Sequence, residues 1–358
     1  MFMIMTFLLI LIAILFGIVE GISEWLPISS TGHMILVEKI FSASGFSLRD
    51  PASLGFEHGD AFFEMFLVVI QLGAILAVII YFWKKLWPFG NKLSDLEIVK
   101  LRNEPELVAM GNYVAHKRIW QTWLKTLVGC LPAAVVGLGM EYLKITDKFA
   151  KYEWAIVGAT LIIYGIAFIA VETYVSKKKQ KFKVDSVVNM SLRTAFYIGC
   201  FQVLALIPGT SRSGVTILGA LLLSCNRESA AEFSFYLSIP VMIGASGLKL
   251  FKFIKNYGMP NKNETLFLLI GFIVAFIVSL LAVKWLMGFV KRHDFKPFGY
   301  YRIALGILVF VIFVTIAKVQ GTPLFAPIAS TSEAISSNSA AISELNLIIP
   351  SIKGLKSI

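Results

Sequence analysis

Glu20 and Glu24 stand four residues apart at the end of a long apolar run, so a helix through them puts both carboxylates on one face, with Cβ atoms about 6 Å apart. Acids are expensive to bury in lipid. A pair that must coexist wants a cation or a shared proton, which makes Glu20 and Glu24 candidate ligands for a divalent cation, Mg or Ca, or makes Glu24 a general base. The plainer alternative is a solvated, idle pair at a membrane surface. Pro27 then ends the helix, and Ser29, Ser30, Thr31 and Gly32 offer hydroxyls and a permissive glycine ahead of His33. A turn of this kind at a helix N-terminus suits anion binding. A lone histidine is usually a core residue, but His33 lies three residues from Ser30 inside a polar break, so it reads as chemistry.

A second cluster runs from Pro208 through Gly209, Thr210, Ser211, Arg212 and Ser213 to Gly214, with Thr216 beyond, again just before an apolar helix. The planar fork of Arg212 suits bidentate phosphate contacts, and the glycines let backbone N–H groups approach phosphate oxygens. The alternative is a buried ion pair of Arg212 with Glu24 or Glu232 that holds no ligand. Glu64, Gln71 and Glu232 read as supporting residues, and Lys125 and Lys284 as lysines that snorkel from near helix ends.

The elements that position these residues are set by composition. Hydrophobic residues make up 57% of the 358 positions and charged residues 15%, and mean hydropathy is +0.77, far from the mix of a soluble globular domain. A bilayer-spanning helix needs ~20 mostly apolar residues. Runs at 62–83, 122–142, 153–172, 231–250, 265–287 and 301–320 qualify, which predicts about six spans. Two further apolar stretches, 4–41 and 193–225, are interrupted by the clusters above and do not read as simple spans. The net charge of +11 marks cytoplasmic loops and anionic-lipid contact rather than nucleic acid. Cys130, Cys200 and Cys225 have no metal-ligand spacing and read as small core residues. The first nineteen residues lack the basic start and small-residue site of a signal peptide.

The two interrupted stretches align without gaps. Gly17 falls on Gly199, Glu20 on Gln202, Ser29 on Ser211, Ser30 on Arg212, Thr31 on Ser213 and Gly32 on Gly214, and each copy is followed by a segment carrying an acid, Glu64 or Glu232. This predicts a duplicated chain. Basic connections around Lys84–Arg118 and Lys177–Arg193 belong in the cytoplasm, and the 43–61 loop faces outward. The first interrupted stretch then dips in from outside and the second from inside. The fold class is therefore an all-α integral membrane protein with an inverted-topology repeat, about six transmembrane helices and two re-entrant helix pairs meeting at one site. Residues 1–320 form a single membrane domain, with halves 1–142 and 153–320 and a cytoplasmic insert at 84–121. Residues 321–358 are a tail.

Glu20-x-x-x-Glu24 leading into Leu26-Pro27-x-Ser29-Ser30-Thr31-Gly32-His33, with Pro208-Gly-x-Ser211-Arg212-Ser213-Gly214-x-Thr216 in the second half, resembles the paired signature of bacterial undecaprenyl pyrophosphate phosphatases, linked to bacitracin resistance. The resemblance covers about residues 8–320. It implies a multi-pass protein of the bacterial inner (cytoplasmic) membrane, a site open to the extracytoplasmic side, dependence on a divalent cation, and hydrolysis of a C55 isoprenyl pyrophosphate that recycles the lipid carrier of cell-wall synthesis. The 84–121 insert and the tail look longer than the family core. Acid phosphatase-like lipid phosphatases share a Pro-Ser-Gly-His motif, but their other signatures are absent here.

With that substrate, Arg212 and the divalent cation near Glu20 and Glu24 hold the pyrophosphate, aided by Ser29, Thr31, Gly209, Ser211, Ser213, Gly214 and Thr216. Ser30 is the favoured nucleophile, with His33 or Glu24 taking its proton. His33 as nucleophile, or water activated by carboxylates and metal, stay open. The partners expected are the isoprenyl pyrophosphate lipid and the surrounding membrane lipid, with no nucleic acid; a homo-oligomer is left open. The rival class is a polyprenyl-phosphate transporter, which shares inverted repeats and broken helices. Simple binding, however, does not need an acid pair, a serine and a histidine together.

Overall fold

The structure, a computed structural model, describes residues 2–43, 49, 55–89, 105–143, 145, 152–177 and 182–320. The tail at 321–358, the 90–104 part of the expected insert and most of the 43–54 loop lie outside the described residues. Nearly everything described is helical, and the only β contact among the described residues is an isolated bridge between Val184 and Cys225.

In chain order the helices are α1 (Phe2–Ser23), α2 (Ser30–Ala43), α3 (Gly59–Tyr81), the short α4 (Trp83–Leu86), α5 (Pro105–Tyr142), α6 (Glu153–Lys177), α7 (Leu192–Gln202), α8 (Arg212–Leu222), α9 (Arg227–Tyr257), α10 (Lys262–Phe289) and α11 (Lys296–Gln320). Among the described residues seven helices are long and apolar enough to cross a membrane, so the chain is an all-α, multi-pass membrane protein. Six of them correspond to the expected runs, five containing theirs whole and α3 stopping at Tyr81, two residues short of the run 62–83. The other is α1, which the sequence placed in an interrupted stretch: its break falls only after Ser23, too late to shorten the helix below a span. The expected insert also differs, since its later part is the beginning of α5, a single helix of 38 residues.

Backbone proximity, rather than side-chain volume, sets the packing. A Cβ on Gly17 of α1 would come within 2.8 Å of the Gly271 carbonyl on α10, and one on its repeat partner Gly199 in α7 would strike the Gly129 carbonyl on α5. Helices α6 and α11 meet in the same manner, where Gly165 and Gly299 each face the other's carbonyl, at 2.7 and 2.8 Å. Small residues let membrane helices approach this closely, which matters where no hydrophobic driving force separates them from lipid. The antiparallel pair α3 and α9 is pinned near both ends, by Glu64 with Lys249 and by Lys85 with Glu232, both at 2.8 Å. One core cluster of interlocked phenylalanines, Phe16, Phe62, Phe63, Phe66 and Phe267, joins α1, α3 and α10; a larger one lies around Trp25, Phe235 and Phe168. Between these packed pairs sit the two broken segments, α1–α2 and α7–α8.

Candidate active site

Each break is built on a serine in an unusual backbone conformation. After Ser23 the chain turns through Glu24–Ile28, and Ser29 takes φ 75° before α2 begins. In the other half the chain passes through a 3-10 turn, Val203–Leu206, and reaches Gly209 at φ 80° and Ser211 at φ 70°. Positive φ is costly for a residue with a side chain, of order 1–3 kcal/mol. The side chain offsets part of that cost, because Ser29 Oγ accepts from Gly32 N–H at 3.3 Å and Ser211 Oγ from Gly214 N–H at 3.2 Å. Each serine thus caps the following helix and leaves neighbouring N–H groups at its start.

The breaks touch through side chains that reach from one to the other. Arg212 donates to Glu24 Oε1 at 3.1 Å and to the Ser234 carbonyl on α9 at 2.8 Å, with its guanidinium 5.9 Å from the Trp25 ring centre. Ser213 donates to the Glu24 carbonyl at 3.1 Å. Ser30 donates to the other Glu24 oxygen, Oε2, at 2.8 Å. Glu24 is therefore the hinge of the site: one oxygen faces the cation and one faces the serine hydroxyl. The sequence alternative of an Arg212–Glu24 ion pair is present, but the same carboxylate also takes the serine proton donor, which a purely structural pair does not require.

Both ring nitrogens of His33 are engaged by groups other than the Ser30 hydroxyl. Its Nδ1 lies 2.7 Å from the Ser29 carbonyl, which can only accept, so Nδ1 carries the hydrogen and Nε2 is the acceptor. Nε2 lies 2.8 Å from the Tyr301 hydroxyl, which donates to it.

Glu20 is 1% exposed and its Oε1 has no hydrogen-bond partner; the aligned Gln202 is equally buried, and both its polar side-chain atoms lack partners. A buried carboxylate oxygen without a partner fits a hard cation. Among the described residues no group of three His, Cys, Asp or Glu side chains converges. With Glu20 and Glu24 the carboxylates at hand, the residues present fit a divalent cation only if water and substrate oxygens complete its shell.

The remaining expected residues are placed as follows. Ser211 and Ser213 hydroxyls lie 3.2 Å apart at the start of α8. Thr31 is exposed on α2. Gly209 is pressed against α6, where a Cβ would collide with Thr160 and stand 2.6 Å from Val157, and Gly214 lies beside Arg302. Thr216 is buried one turn inside α8, bonding the Arg212 carbonyl at 2.9 Å and Ser234 Oγ at 2.7 Å. Lys125 is buried rather than snorkelling, and donates to the carbonyls of Val187 and Val188. Glu64 and Glu232 are engaged near the ends of the α3–α9 pair.

Sequence reasoning missed Arg302 and Tyr301 on α11. Arg302 is fully buried and donates to the Pro27 carbonyl at 3.2 Å and to those of Gly209 and Thr210 at 3.1 and 3.0 Å, so one guanidinium straps both breaks together. Thr160 adds a bond to the Pro208 carbonyl at 2.9 Å. An arginine inside an apolar run was the available signal, but its place near the start of the run made it look like an end residue.

The chain is 47% identical to an undecaprenyl-diphosphatase of Acetivibrio thermocellus over 305 residues, covering 85% of this chain and 97% of that protein. It is 44% identical to an undecaprenyl-diphosphatase of Enterococcus faecalis over 313 residues, 87% and 99% of the two chains, and 41% identical to undecaprenyl-diphosphatase 1 of Oenococcus oeni over 305 residues, 85% and 96%. Residues 13–308, which contain both breaks and the Tyr301–Arg302 strap, match the family described as bacitracin resistance protein BacA, and the chain belongs to that family.

Proposed function

We infer that the chain hydrolyses undecaprenyl diphosphate to undecaprenyl phosphate and inorganic phosphate, as a membrane enzyme that returns the lipid carrier to use in cell-wall synthesis. The observation that carries the mechanism is the contact set of Glu24, which receives Arg212 on one oxygen and Ser30 on the other. Phosphoryl transfer needs positioning and charge neutralisation more than covalent machinery. Arg212 and the serine-capped N-termini of α2 and α8 supply positive potential for the diphosphate, with the Ser29, Thr31, Ser211 and Ser213 hydroxyls as further donors. Gly209, Gly214 and Thr216 hold the second break in shape.

Ser30 Oγ attacks the terminal phosphorus while its proton passes to Glu24 Oε2. The bond from that phosphorus to the bridging oxygen breaks, and the lipid monophosphate leaves with the bond electrons. Water then displaces Ser30 from the phosphorylated intermediate and releases inorganic phosphate. A divalent cation held by Glu20 and Glu24 would neutralise charge on the diphosphate oxygens. Of the candidates for Ser30's proton, Glu24 is favoured over His33, because the His33 Nε2 lone pair faces Tyr301. His33 then orders the Ser29 turn and reaches the substrate only after leaving Tyr301.

The equal serine caps at Ser29 and Ser211, and the matching glycine contacts at Gly17 and Gly199, support halves related by inverted duplication within residues 1–320, with boundaries at 1–142 and 153–320. Basic residues gather at the α3–α4, α6–α7 and α10–α11 connections, which supports placing that face in the cytoplasm and the α1–α2 entrance outside, in the bacterial inner membrane.

The test is phosphate release from C55 isoprenyl pyrophosphate by detergent-purified protein, with and without a chelator, for the parent, Ser30→Ala and His33→Ala. Cation-dependent release that Ser30→Ala abolishes and His33→Ala only reduces is the expected result. Full activity of Ser30→Ala would return the nucleophile to His33 or water, and no release by folded parent protein would overturn the activity.

A further inference from the structure

A cavity of about 820 Å³ opens among α4, α5 and the start of α9, lined by Trp83, Lys84, Trp87, Arg118, Glu228 and Glu232, among others. It is far from the α3 end that carries Asp60 and Glu64, because α3 has 23 residues and spans ~35 Å at 1.5 Å per residue. The cavity therefore belongs to the basic face of the bundle, opposite the face where α2 ends. Its volume lies within the ~300–1,000 Å³ typical of small-molecule sites.

Its charges are not balanced once existing pairs are removed. Glu232 is taken by Lys85 at 2.8 Å and by the Tyr236 hydroxyl at 2.6 Å. Glu228 is paired with Lys291 at 3.3 Å. Asp185, in contrast, accepts from the neutral Asn189 side chain at 2.8 Å and keeps its charge, so that set against Lys84 and Arg118 it leaves the cavity one net positive charge. Lys84 and Arg118 also line the cavity, and neither has a carboxylate partner among the described residues. The rim is aromatic: Trp83 and Trp87 stack with ring centres 4.5 Å apart, Phe89 meets Trp87 at 5.4 Å, and Trp120 lies beyond at 6.5 Å from Phe89. Half-exposed tryptophans beside lysine and arginine are the side chains that settle at the boundary between headgroups and acyl chains.

We propose that this cavity is an accessory site for the phosphodiester headgroup of an anionic membrane phospholipid, held by Lys84 and Arg118 with its glycerol and upper acyl chains against the tryptophan rim. A free phosphate offers the same charge but has nothing for the rim to bind, which is why a lipid is the occupant. The site is separate from the Glu24–Arg212 centre and does not rest on the hydrolytic reading.

Native mass spectrometry of the detergent-purified full chain, titrated separately with phosphatidylglycerol, phosphatidylcholine and inorganic phosphate, tests it. The parent is expected to retain phosphatidylglycerol in preference to phosphatidylcholine, and Lys84→Gln/Arg118→Gln to weaken that retention about 20-fold, with inorganic phosphate failing to compete. Hydrolysis in phospholipid-free detergent and the gel-filtration profile report that the variant is folded; Arg118→Gln alone, expected at about 5-fold, serves if the double variant is not. Equal retention by parent and variant, no preference of the parent for the anionic lipid, or binding of inorganic phosphate as tight as that of the lipid would each overturn the proposal.

Discussion

At Ser29 and at Ser211 the backbone turns through nearly the same φ, 75° and 70°, and each serine caps its helix through the glycine amide three residues on. The residue that follows is Ser30 in the first break and Arg212 in the second, and the position nine before the serine is Glu20 in one and Gln202 in the other. The first break thus carries the acids and the hydroxyl proposed as nucleophile, and the second carries the cation. One backbone device, used twice, presents helix N-termini to an anion; the chemistry comes from the positions at which the two copies differ. The difference also explains why the breaks hold together, since Glu24 of one and Arg212 of the other complete each other's buried charge. Removing one member of such a pair strands the other.

The most damaging way to break this complementarity is Arg212→Ala. It removes the proposed diphosphate ligand and leaves Glu24 buried without its cation, and phosphate release should fall about 10³-fold or more. An unchanged rate would show that the second break is only scaffolding. Glu24→Gln keeps the shape of the hinge but loses the proton acceptor for Ser30, so release should drop by about 10²- to 10³-fold, measured under saturating substrate to place the loss in kcat. Glu20→Gln makes the first break resemble the second at that position. Its effect should be milder, about 10-fold to 100-fold at low cation concentration and smaller when cation is raised; a loss that cation does not relieve would remove Glu20 from the metal role.

The packing of the two copies can be compared in the same way. Gly199→Ala should destabilise more than Gly17→Ala, because the Gly129 carbonyl is closer to the added methyl than the Gly271 carbonyl is. A loss of about 1–3 kcal/mol is expected for overpacking of this kind, read as the shift of thermal unfolding in detergent. The smallest effect belongs to Tyr301→Phe, which takes one hydrogen bond from His33 and should change release by less than about 10-fold. A loss as large as that of Glu24→Gln would mean that His33, held by Tyr301, carries the proton after all.

Much of this was legible in order of residues alone. Hydrophobic runs of span length place six of the seven long helices found among the described residues, and the gapless alignment of the two interrupted stretches pairs Ser29 with Ser211. Proline, glycine and hydroxyl clusters inside apolar segments are readable because lipid penalises them, so their presence needs a reason. The acid pair and the single arginine stood out for the same cause. The length of α1 was less legible, since an apolar segment with a polar break does not say how far the helix runs before the break.

What the sequence could not decide is who meets whom across the bundle. Glu24 and Arg212 are 188 residues apart, and Arg212 had two possible partners, Glu24 and Glu232; only packing of α8 against the first break joins them and gives the second oxygen of Glu24 to Ser30. His33 and Tyr301 are 268 residues apart, and the partner of the imidazole Nε2 is a hydroxyl delivered by α11. Arg302 straps Pro27 to Gly209 and Thr210 because α11 passes between two breaks whose carbonyls have no helix to satisfy them. Local rules of cost in lipid determine where the chain breaks and which side chains stand there. The pairing of those side chains is a long-range event that only the glycine-lined approach of the helices decides.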